Sequence, residues 1–305
     1  MSGSRKIMGE EIRYRRIALE DRALMRKKYS EDPKRTCEHC FANNYLWQTI
    51  YPAEIAEFDD CISVRFWDGA DLYYDFPVGT GDKKRAMDKI ISWTDRQASL
   101  RFYGLVEEEA EMLEQWYPGR FQITEERNAF DYIYETSRLT TLSGKKLHGK
   151  RNHINRFKEN SDWHYESLDE HNWHGCLEMN RLWKRKRGDH WDEAMEEEFR
   201  VVNYALQHFK ELGMAGGVLW LGNQIVAFTM GEPLGGDTFA VHFEKAFSDI
   251  QGAYPMINQQ FAEHECQSYR YINREDDAGS EGLRKAKMSY GPDILLKKYM
   301  AERKK

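Results

Sequence analysis

The chain has 305 residues, of which 41% are hydrophobic and 31% are charged, and its formal net charge is −6. This length and apolar content predict two domains with a substantial core. The net acidity excludes a global basic field for nucleic acid, so any such contact would need a local basic patch. The sequence holds no run of about 18 apolar residues and no apolar signal core near its N-terminus, so we expect no integral membrane segment.

The chain contains five cysteines, an odd number, and no signal peptide is predicted. We therefore expect reduced thiols and a cytoplasmic location. Cys37-Glu38-His39-Cys40 has a spacing that zinc sites use, but the sequence offers no second Cys-x-x-Cys to complete a ligand set. We expect no metal site and interpret these two cysteines as buried thiols.

In the first half, the pattern predicts a charged helix, a hairpin, a helix, a strand, a helix and further strands. The hairpin joins two short strands over Asp68-Gly69, a favourable two-residue turn. The predicted helices are Ile17–Tyr29, Lys83–Ala98 and Glu107–Trp116. The predicted strands are Cys61–Phe66, Asp71–Phe76, Leu100–Leu105, Phe121–Glu125 and Tyr132–Tyr134.

The second half of the chain predicts a similar order. A hairpin over Gly222-Asn223 again precedes a strand, a helix and a strand. The predicted helices are Lys145–Asn160, Trp173–Lys186, Glu193–Leu212, Ala253–Cys266 and Gly282–Tyr290. The predicted strands are Trp163–Leu168, Gly216–Leu221, Gln224–Glu232, Asp237–Phe243 and Tyr269–Asn273.

An acidic loop follows the strand Tyr269–Asn273 and leads into a cationic helix. The residues that we single out there are Asn273, Glu275, Asp276, Asp277, Arg284, Lys285, Lys287 and Tyr290. Acids that face bases across one turn suit acid–base chemistry. The alternative is a loop that merely pairs its charges with the next helix, as most charge clusters do.

Two basic clusters could bind a phosphate-rich ligand. The first lies within Lys145–Lys158, where Arg151, Asn155 and Lys158 have helical spacing. The second lies within Arg181–Arg187. Clustered cations suit phosphate binding, but a solvated helix face is the alternative for either cluster alone.

The run N-R-E-x-D-x-G-x-x-G-L-R-x-x-K-x-x-Y-x-P, from Asn273 to Pro292, resembles the C-terminal catalytic domain of lysyl-phosphatidylglycerol synthases. Leu142–Lys158 and Phe41–Trp47 resemble other signatures of that family. The resemblance implies an α+β fold of two tandem GNAT-like (acyl-CoA N-acyltransferase) domains, each a mixed, mostly antiparallel sheet flanked by helices. We place these domains at residues 1–142 and 143–305, with the active site in the second.

The same resemblance implies an acyl- or aminoacyltransferase. Its donor would be an acyl-CoA or an aminoacyl-tRNA bound through the acceptor stem, with no tightly bound cofactor. Its acceptor would be an amine or hydroxyl of a small molecule, peptide or lipid. Lys287 aligns with a signature lysine that Fem-type transferases share, and it would balance charge on the donor carbonyl. Glu275 or Asp276 would orient or deprotonate the attacking amine.

In the GNAT fold, a glycine-rich loop at a helix N-terminus binds the CoA pyrophosphate. Here the matching residues are Gln251, Gly252 and Ala253, with one glycine where the usual loop has two. Arg284 and Lys285 would add cationic contacts to the donor phosphates. The alternative is an ordinary helix start capped by Ser248 or Asp249.

Six residues are candidates for binding substrate: Asn273, Arg151, Asn155, Tyr290, His242 and Glu244. Strand alternation places His242 and Glu244 on one face of the predicted third strand of this half. Each could instead be a packed or solvated strand residue. The competing function is a non-catalytic GNAT-fold module that binds an anionic or phosphorylated ligand.

Overall fold

The computed structural model describes residues 12–94, 99–188 and 191–304. The α-helices of these residues are α1 (Arg22–Glu31), α2 (Phe41–Trp47), α3 (Lys83–Thr94), α4 (Glu107–Trp116), α5 (Thr136–Thr141), α6 (His148–Lys158), α7 (Trp173–Arg187), α8 (Glu193–Leu212), α9 (Ala253–His264) and α10 (Glu281–Met288). The strands are β1 (Arg15–Arg16), β2 (Ala53–Phe58), β3 (Cys61–Asp68), β4 (Asp71–Tyr74), β5 (Val78–Gly79), β6 (Arg101–Val106), β7 (Phe121–Glu125), β8 (Asp131–Glu135), β9 (Trp163–Ser167), β10 (Ala215–Leu221), β11 (Gln224–Gly235), β12 (Thr238–Ala246), β13 (Tyr271–Asn273), β14 (Ile294–Leu296) and β15 (Lys298–Arg303).

These strands form two sheets. The first has the order β1-β2-β3-β4-β6-β15-β7, with β5 beside β3, and the second has the order β14-β8-β13-β12-β11-β10-β9. Most neighbouring strands run antiparallel, while β4–β6 and β12–β13 run parallel. Helix α4 packs on the first sheet, and α7 and α9 pack on the second. The predicted α+β class, with two mixed and mostly antiparallel sheets flanked by helices, is confirmed.

The two sheets exchange strands. β8 precedes residue 142, yet it lies in the second sheet between β14 and β13. β15 is the last strand, yet it lies in the first sheet between β6 and β7. The chain therefore crosses between the sheets after β7 and again after β14. The division of the domains at residue 142 stays a prediction, and the strands themselves are not divided there.

A buried cation ties the two crossings together. Lys298 begins β15, and its Nζ lies 2.9 Å from Oδ1 of Asp131, which begins β8. The same Nζ lies 2.7 Å from each carboxylate oxygen of Glu38. The side chains of Lys298 and Asp131 are fully buried. Charges so far from water are tolerated only when they are paired, so this contact strongly constrains both crossings.

The two predicted hairpins are present. β3 pairs with β4 up to Asp68 and Asp71, and β10 pairs with β11 up to Leu221 and Gln224. The bounds of α4, α8 and β7 are those predicted. Turn residues and apolar periodicity are local signals, which explains why these elements were readable from the sequence.

Other elements differ from the prediction. The basic helix expected from Lys145 begins as a 3-10 turn, and its α-helical part is α6. The sequence did not predict β2, α2 or α5 as regular elements, and the C-terminal segment forms the two strands β14 and β15. Helix α3 extends to Thr94, and the rest of that predicted helix, 95–98, lies outside the described residues. Short elements have weak periodicity, so their tertiary contacts decide whether they form.

The larger core lies between the second sheet and its helices. On α9, Ile257 and Phe261 are four residues apart on one face, and both are buried. The Phe261 ring meets the ring of Phe239 on β12 edge to face, with centroids 5.7 Å apart. Burial of each such side chain stabilises the fold by about 1.5–3 kcal/mol. Within the described residues, no helix combines the length and the apolar content that crossing a membrane requires.

Candidate active site

The loop between β13 and α10 has a backbone that its residues do not adopt freely. Glu275 and Ala278 have φ values of +58° and +46°, in the left-handed region that disfavours residues with a Cβ. Asn273 holds the loop: its side chain accepts a hydrogen bond from the Glu275 N–H at 2.6 Å and donates to Asp131 Oδ2 at 2.8 Å. Asn273 is fully buried, so the structure places it behind the loop. Backbone strain that surrounding contacts impose is frequent at functional sites.

The ammonium of Lys287 closes this loop from the side of α10. Its Nζ donates to the carbonyl oxygen of Arg274 at 2.6 Å and to the carbonyl oxygen of Asp276. Burial lowers the pKa of Lys287, and the nearby Arg274 lowers it further, against the opposing effect of Glu275. Lys287 is therefore a cation in a partly dry site, where a charge acts more strongly than in water.

The surroundings of Asp276 raise the pKa of its carboxyl toward neutral pH. Burial, with the neighbouring charges of Asp131 and Glu275, raises the pKa of Asp276 to about 6, although Lys298 opposes the shift. A group with such a pKa can accept a proton and release it near neutral pH. Asp276 and Lys287 thus bring an acid–base group and a cation to the same loop.

A line of buried charges runs from this loop into the second sheet. Glu275 Oε1 accepts a hydrogen bond from Nδ1 of His242 at 2.7 Å. The other ring nitrogen of His242 lies 3.4 Å from Glu232 Oε1. Burial by itself lowers the pKa of His242, but contacts with Cys40, Glu232 and Glu275 outweigh burial and raise it. The His242 side chain is 1% exposed, so it supports Glu275 from inside the fold.

Two of the predicted substrate residues, Glu244 and Tyr290, lie around Arg274. Its Nη2 lies 2.9 Å from Glu244 Oε1, and its guanidinium stacks over the ring of Tyr290, 4.9 Å from the centroid. The ammonium of Lys150, on α6, lies 4.2 Å from the centroid of the same ring. Burial lowers the pKa of Lys150, and Arg274 lowers it further. The sequence singled out Glu244 and Tyr290, and the structure places both around Arg274.

Asp277 and Arg284 form an internal pair. Arg284 donates two hydrogen bonds of 2.9 Å to the two oxygens of Asp277, and a third of 2.9 Å to Oδ1 of Asn128. Burial alone would raise the pKa of Asp277, but hydrogen bonds from Arg284 and Tyr132 outweigh burial and hold that pKa far below its usual value. Lys285, the next residue of α10, is exposed. A donor-binding role for Arg284 and Lys285 stays a prediction.

The predicted phosphate loop forms the start of α9. Gly252 is the N-cap with φ +86°, and Gln251 precedes it as an exposed residue. A Cβ on Gly252 would lie 2.2 Å from the carbonyl oxygen of His153 on α6. The glycine therefore allows α6 and α9 to pack closely. Ala253, the first helical residue, is buried. Whether this loop also binds phosphate stays a prediction.

A cavity of about 240 Å³ lies between α5, α6 and α9. Polar and basic side chains line it, among them Arg151, Asn155 and Lys158. Arg151 donates to the carbonyl oxygens of Leu142 and Gly144, which fixes it at the wall of the cavity. The structure thus brings the predicted ligands Arg151 and Asn155 together. Lys150 on the same helix reaches Tyr290, so α6 connects this cavity to the Arg274 group.

Sequence reasoning missed the residues that surround the loop from distant parts of the chain. Asp131, Lys298 and Glu38 form the buried charge cluster next to Asp276 and influence its pKa directly or through each other. Glu232 supports His242 in the same way. The available signal was Glu232, a charged residue inside the otherwise apolar strand β11, because such a charge is buried only with partners.

Comparison with known proteins shows which family and which proteins this chain is similar to. The family described as phosphatidylglycerol lysyltransferase, C-terminal, matches residues 31–302. A conserved protein of unknown function from Bacteroides thetaiotaomicron VPI-5482 is 40% identical, with a TM-score of 0.92, over 96% of this chain and 100% of that chain. An uncharacterised protein of Mycoplasmoides gallisepticum is 22% identical over 197 residues, which are 62% of this chain. This match spans 61% of the length of that relative.

More distant structures share the fold. L-PGS from Bacillus licheniformis is 16% identical, with a TM-score of 0.64, over 92% of this chain and 91% of that chain. FemX is 8% identical, with a TM-score of 0.61, over 95% of this chain and 97% of that chain. These matches show that the chain shares its overall fold with both proteins. The match over residues 31–302 covers most of the sequence, and the chain belongs to the family of phosphatidylglycerol lysyltransferase C-terminal domains.

Proposed function

We propose that this protein is an acyl- or aminoacyltransferase whose reaction takes place at the loop between β13 and α10. The observation that carries the proposal is that one loop holds two groups: the Lys287 ammonium, bonded to the backbone carbonyl oxygens of Arg274 and Asp276, and the Asp276 carboxyl, whose pKa burial raises to about 6. Membership of the family supports a transferase. The likeness to L-PGS and FemX supports a donor that carries an activated acyl or aminoacyl group.

The proposed reaction is direct transfer with no covalent enzyme intermediate. The acceptor amine or hydroxyl attacks the donor carbonyl carbon, so a C–N or C–O bond forms and negative charge develops on the carbonyl oxygen. Lys287 stabilises that oxyanion. Asp276, or Glu275 held by His242, accepts the proton of the acceptor. The C–O bond of an ester donor or the C–S bond of a thioester donor then breaks, and the leaving group takes the proton.

We propose aminoacyl-tRNA as the favoured donor and acyl-CoA as the alternative. The backbone of Gly252 lies close to the carbonyl oxygen of His153. This contact makes the start of α9 less suited to binding a CoA pyrophosphate. The cavity beside α6 offers Arg151 and Lys158 to a phosphate-rich ligand. The acceptor would be an amine or hydroxyl of a lipid, a peptide or a small molecule.

A thermal-shift comparison tests the donor. The full chain is heated with acyl-CoA thioesters, with charged tRNA and with uncharged tRNA, because a ligand of the native state raises the melting temperature by mass action. A rise with charged tRNA beyond that with uncharged tRNA is the expected result. A rise with a CoA thioester alone would replace the proposed donor. No rise with any of them would contradict a donor site.

The second candidate is a binding module without turnover. It is favoured by one observation: Arg284 and Lys287 both donate hydrogen bonds to other groups of the protein. Such cations could serve to lock the loop. The two candidates differ in whether the loop turns a substrate over.

Substitution of Lys287 separates the two candidates. In Lys287→Met, we expect turnover of the donor to fall about 100- to 1,000-fold, because the oxyanion loses its cation. Donor affinity should change little, since the phosphates bind elsewhere. Turnover is measured as transfer of a radiolabelled acyl or aminoacyl group.

Lys27→Met is the control for this test, because the Lys27 side chain is 68% exposed on α1. It should leave turnover unchanged. Circular dichroism and the melting temperature show whether Lys287→Met stays folded. A folded Lys287→Met protein with normal turnover would remove Lys287 from the mechanism, and a wild-type protein that binds the donor without turnover would favour the binding module.

A further inference from the structure

We propose that Cys40, Glu232 and His242 form a binding site for a divalent transition metal of the zinc class. One ligand atom of each residue, a thiol sulfur, a carboxylate oxygen and an imidazole nitrogen, lies within 4.8 Å of the other two. Cys40 immediately precedes α2, while Glu232 and His242 lie on the paired strands β11 and β12. Thiolate, imidazole and carboxylate together suit zinc better than magnesium or calcium.

The spacing of the nitrogen and the oxygen fits such an ion. His242 Nε2 lies 3.4 Å from Glu232 Oε1. Two ligands that each lie about 2.0–2.2 Å from zinc, at a tetrahedral angle, are separated by about 3.4 Å. Nε2 is buried and makes no hydrogen bond within the described part of the chain. A buried ring nitrogen without a hydrogen bond is stabilised either by carrying a proton that a neighbouring acceptor binds or by coordinating a metal.

The surroundings orient the ligands as they would around a metal. His242 uses its other ring nitrogen, Nδ1, to bond Glu275 at 2.7 Å. Glu232 accepts the Ala42 N–H at 2.6 Å on Oε1 and Arg26 at 2.9 Å on Oε2. Metal-binding histidines typically donate their other ring N–H to a carboxylate. Metal-binding carboxylates are typically hydrogen-bonded by other groups of the protein.

The charges of the cluster balance when a divalent ion binds. With a protonated imidazole and a thiol, the charges of Glu232, Glu275, Arg26 and His242 sum to zero. Binding of the ion releases the proton of His242 Nε2 and the thiol proton of Cys40 to solvent, so the two charges of the ion replace two protons and the buried cluster stays neutral. The ion then occupies the position that a proton on His242 Nε2 would otherwise fill.

A neighbouring cluster shows the contrast. Cys37, Asp131 and Asp276 also offer ligand atoms within 4.8 Å of one another. There, the ammonium of Lys298 lies 2.9 Å from Asp131 and 3.3 Å from the Cys37 sulfur, so a cation is already supplied by the protein. At Cys40 and His242 Nε2, no lysine or arginine of the described residues donates a hydrogen bond.

Metal content of the full chain tests the proposal. The wild-type protein, purified without chelator, should contain about one equivalent of zinc by mass spectrometry. After metal removal, titration with Co²⁺ should produce a thiolate-to-cobalt absorption band. Cys40→Ser should lose the band and bind the ion at least about 10-fold more weakly. The control is Cys176→Ser, since Cys176 is buried on α7, outside this cluster, and should keep both signals.

The result does not depend on transferase activity, because its readouts are stoichiometry and absorption. Wild-type protein with less than about one tenth of an equivalent and no cobalt band would overturn the proposal and leave His242 as a protonated group between two carboxylates. Equal metal content in folded Cys40→Ser would also overturn it. If Cys40→Ser fails to fold, the wild-type titration still decides, because zinc must then raise the melting temperature of the metal-free protein.

Discussion

At the scale of single residues, Asp276 carries the clearest electrostatic signature of the loop. Its carboxyl has a pKa raised to about 6 by burial and by Asp131 and Glu275. We expect one carboxyl resonance of ¹³C-labelled protein to titrate near pH 6 and to be absent in Asp276→Asn. A raised pKa means that the protonated form is favoured in the fold, so Asp276 becomes a base only as pH rises through about 6.

The same residue predicts a pH profile. The transfer rate at low donor concentration should rise with pH through about 6 in the wild-type protein, because deprotonated Asp276 accepts the proton. Asp276→Asn should be slower and should lose that rise. A wild-type rate that is flat between pH 5 and 7 would exclude Asp276 as the base and favour Glu275.

At the scale of elements, the packing of α6 against α9 depends on one glycine. A Cβ at residue 252 would meet the carbonyl oxygen of His153, and φ at Gly252 is +86°. We expect Gly252→Ala to lower the free energy of unfolding by about 1–3 kcal/mol, measured by urea denaturation. The matched control is Gly149→Ala on α6, where a Cβ meets open space.

The control should behave oppositely. Gly149→Ala should raise the free energy of unfolding by about 0.4–1 kcal/mol, because alanine restricts the unfolded chain more than glycine does. Equal effects of the two substitutions would mean that the contact between Gly252 and His153 does not constrain the helices.

The second crossing between the sheets depends on Lys298. Burial alone lowers the pKa of Lys298, but Asp131, Cys37 and Glu38 outweigh burial and raise it well above the usual value, so the residue stays charged. Lys298→Met leaves Asp131 buried without its cation, and we expect a loss of about 3–5 kcal/mol in the free energy of unfolding. In the control Lys297→Met, the replaced side chain is 49% exposed and the change should stay within about 0.5 kcal/mol. A small effect of Lys298→Met would mean that water or a proton compensates Asp131.

At the scale of the whole molecule, the exchange of strands makes the two sheets interdependent. Removal of residues 298–305 would take β15 from between β6 and β7 in the first sheet. We expect the truncated chain to lose the cooperative transition of both sheets, because each contains a strand from the other half of the chain. Hydrogen exchange resolved by peptide measures this, and a truncated protein with only its C-terminal half still protected would contradict the interdependence.

The sequence by itself determined the family, the fold class and those local elements that have strong turn or periodicity signals. The run from Asn273 to Pro292 carried the resemblance that the family match then confirmed. The hairpins and the bounds of α4 and α8 followed from turn chemistry and apolar periodicity, which act between residues close in the chain. The sequence also brought attention to Lys287 and to the acids of the loop, although it could not show which of them pair with the protein itself.

Only the tertiary structure decided how distant residues meet. Segments far apart in the chain meet in three places: β15 lies between β6 and β7, Lys298 pairs with Asp131, and Cys40 approaches His242. A short strand has no local signal for its partner, because its place depends on burial and on neighbours across the sheet. For the same reason, the raised pKa of Asp276 is a property of its buried surroundings and not of the residues beside it in sequence.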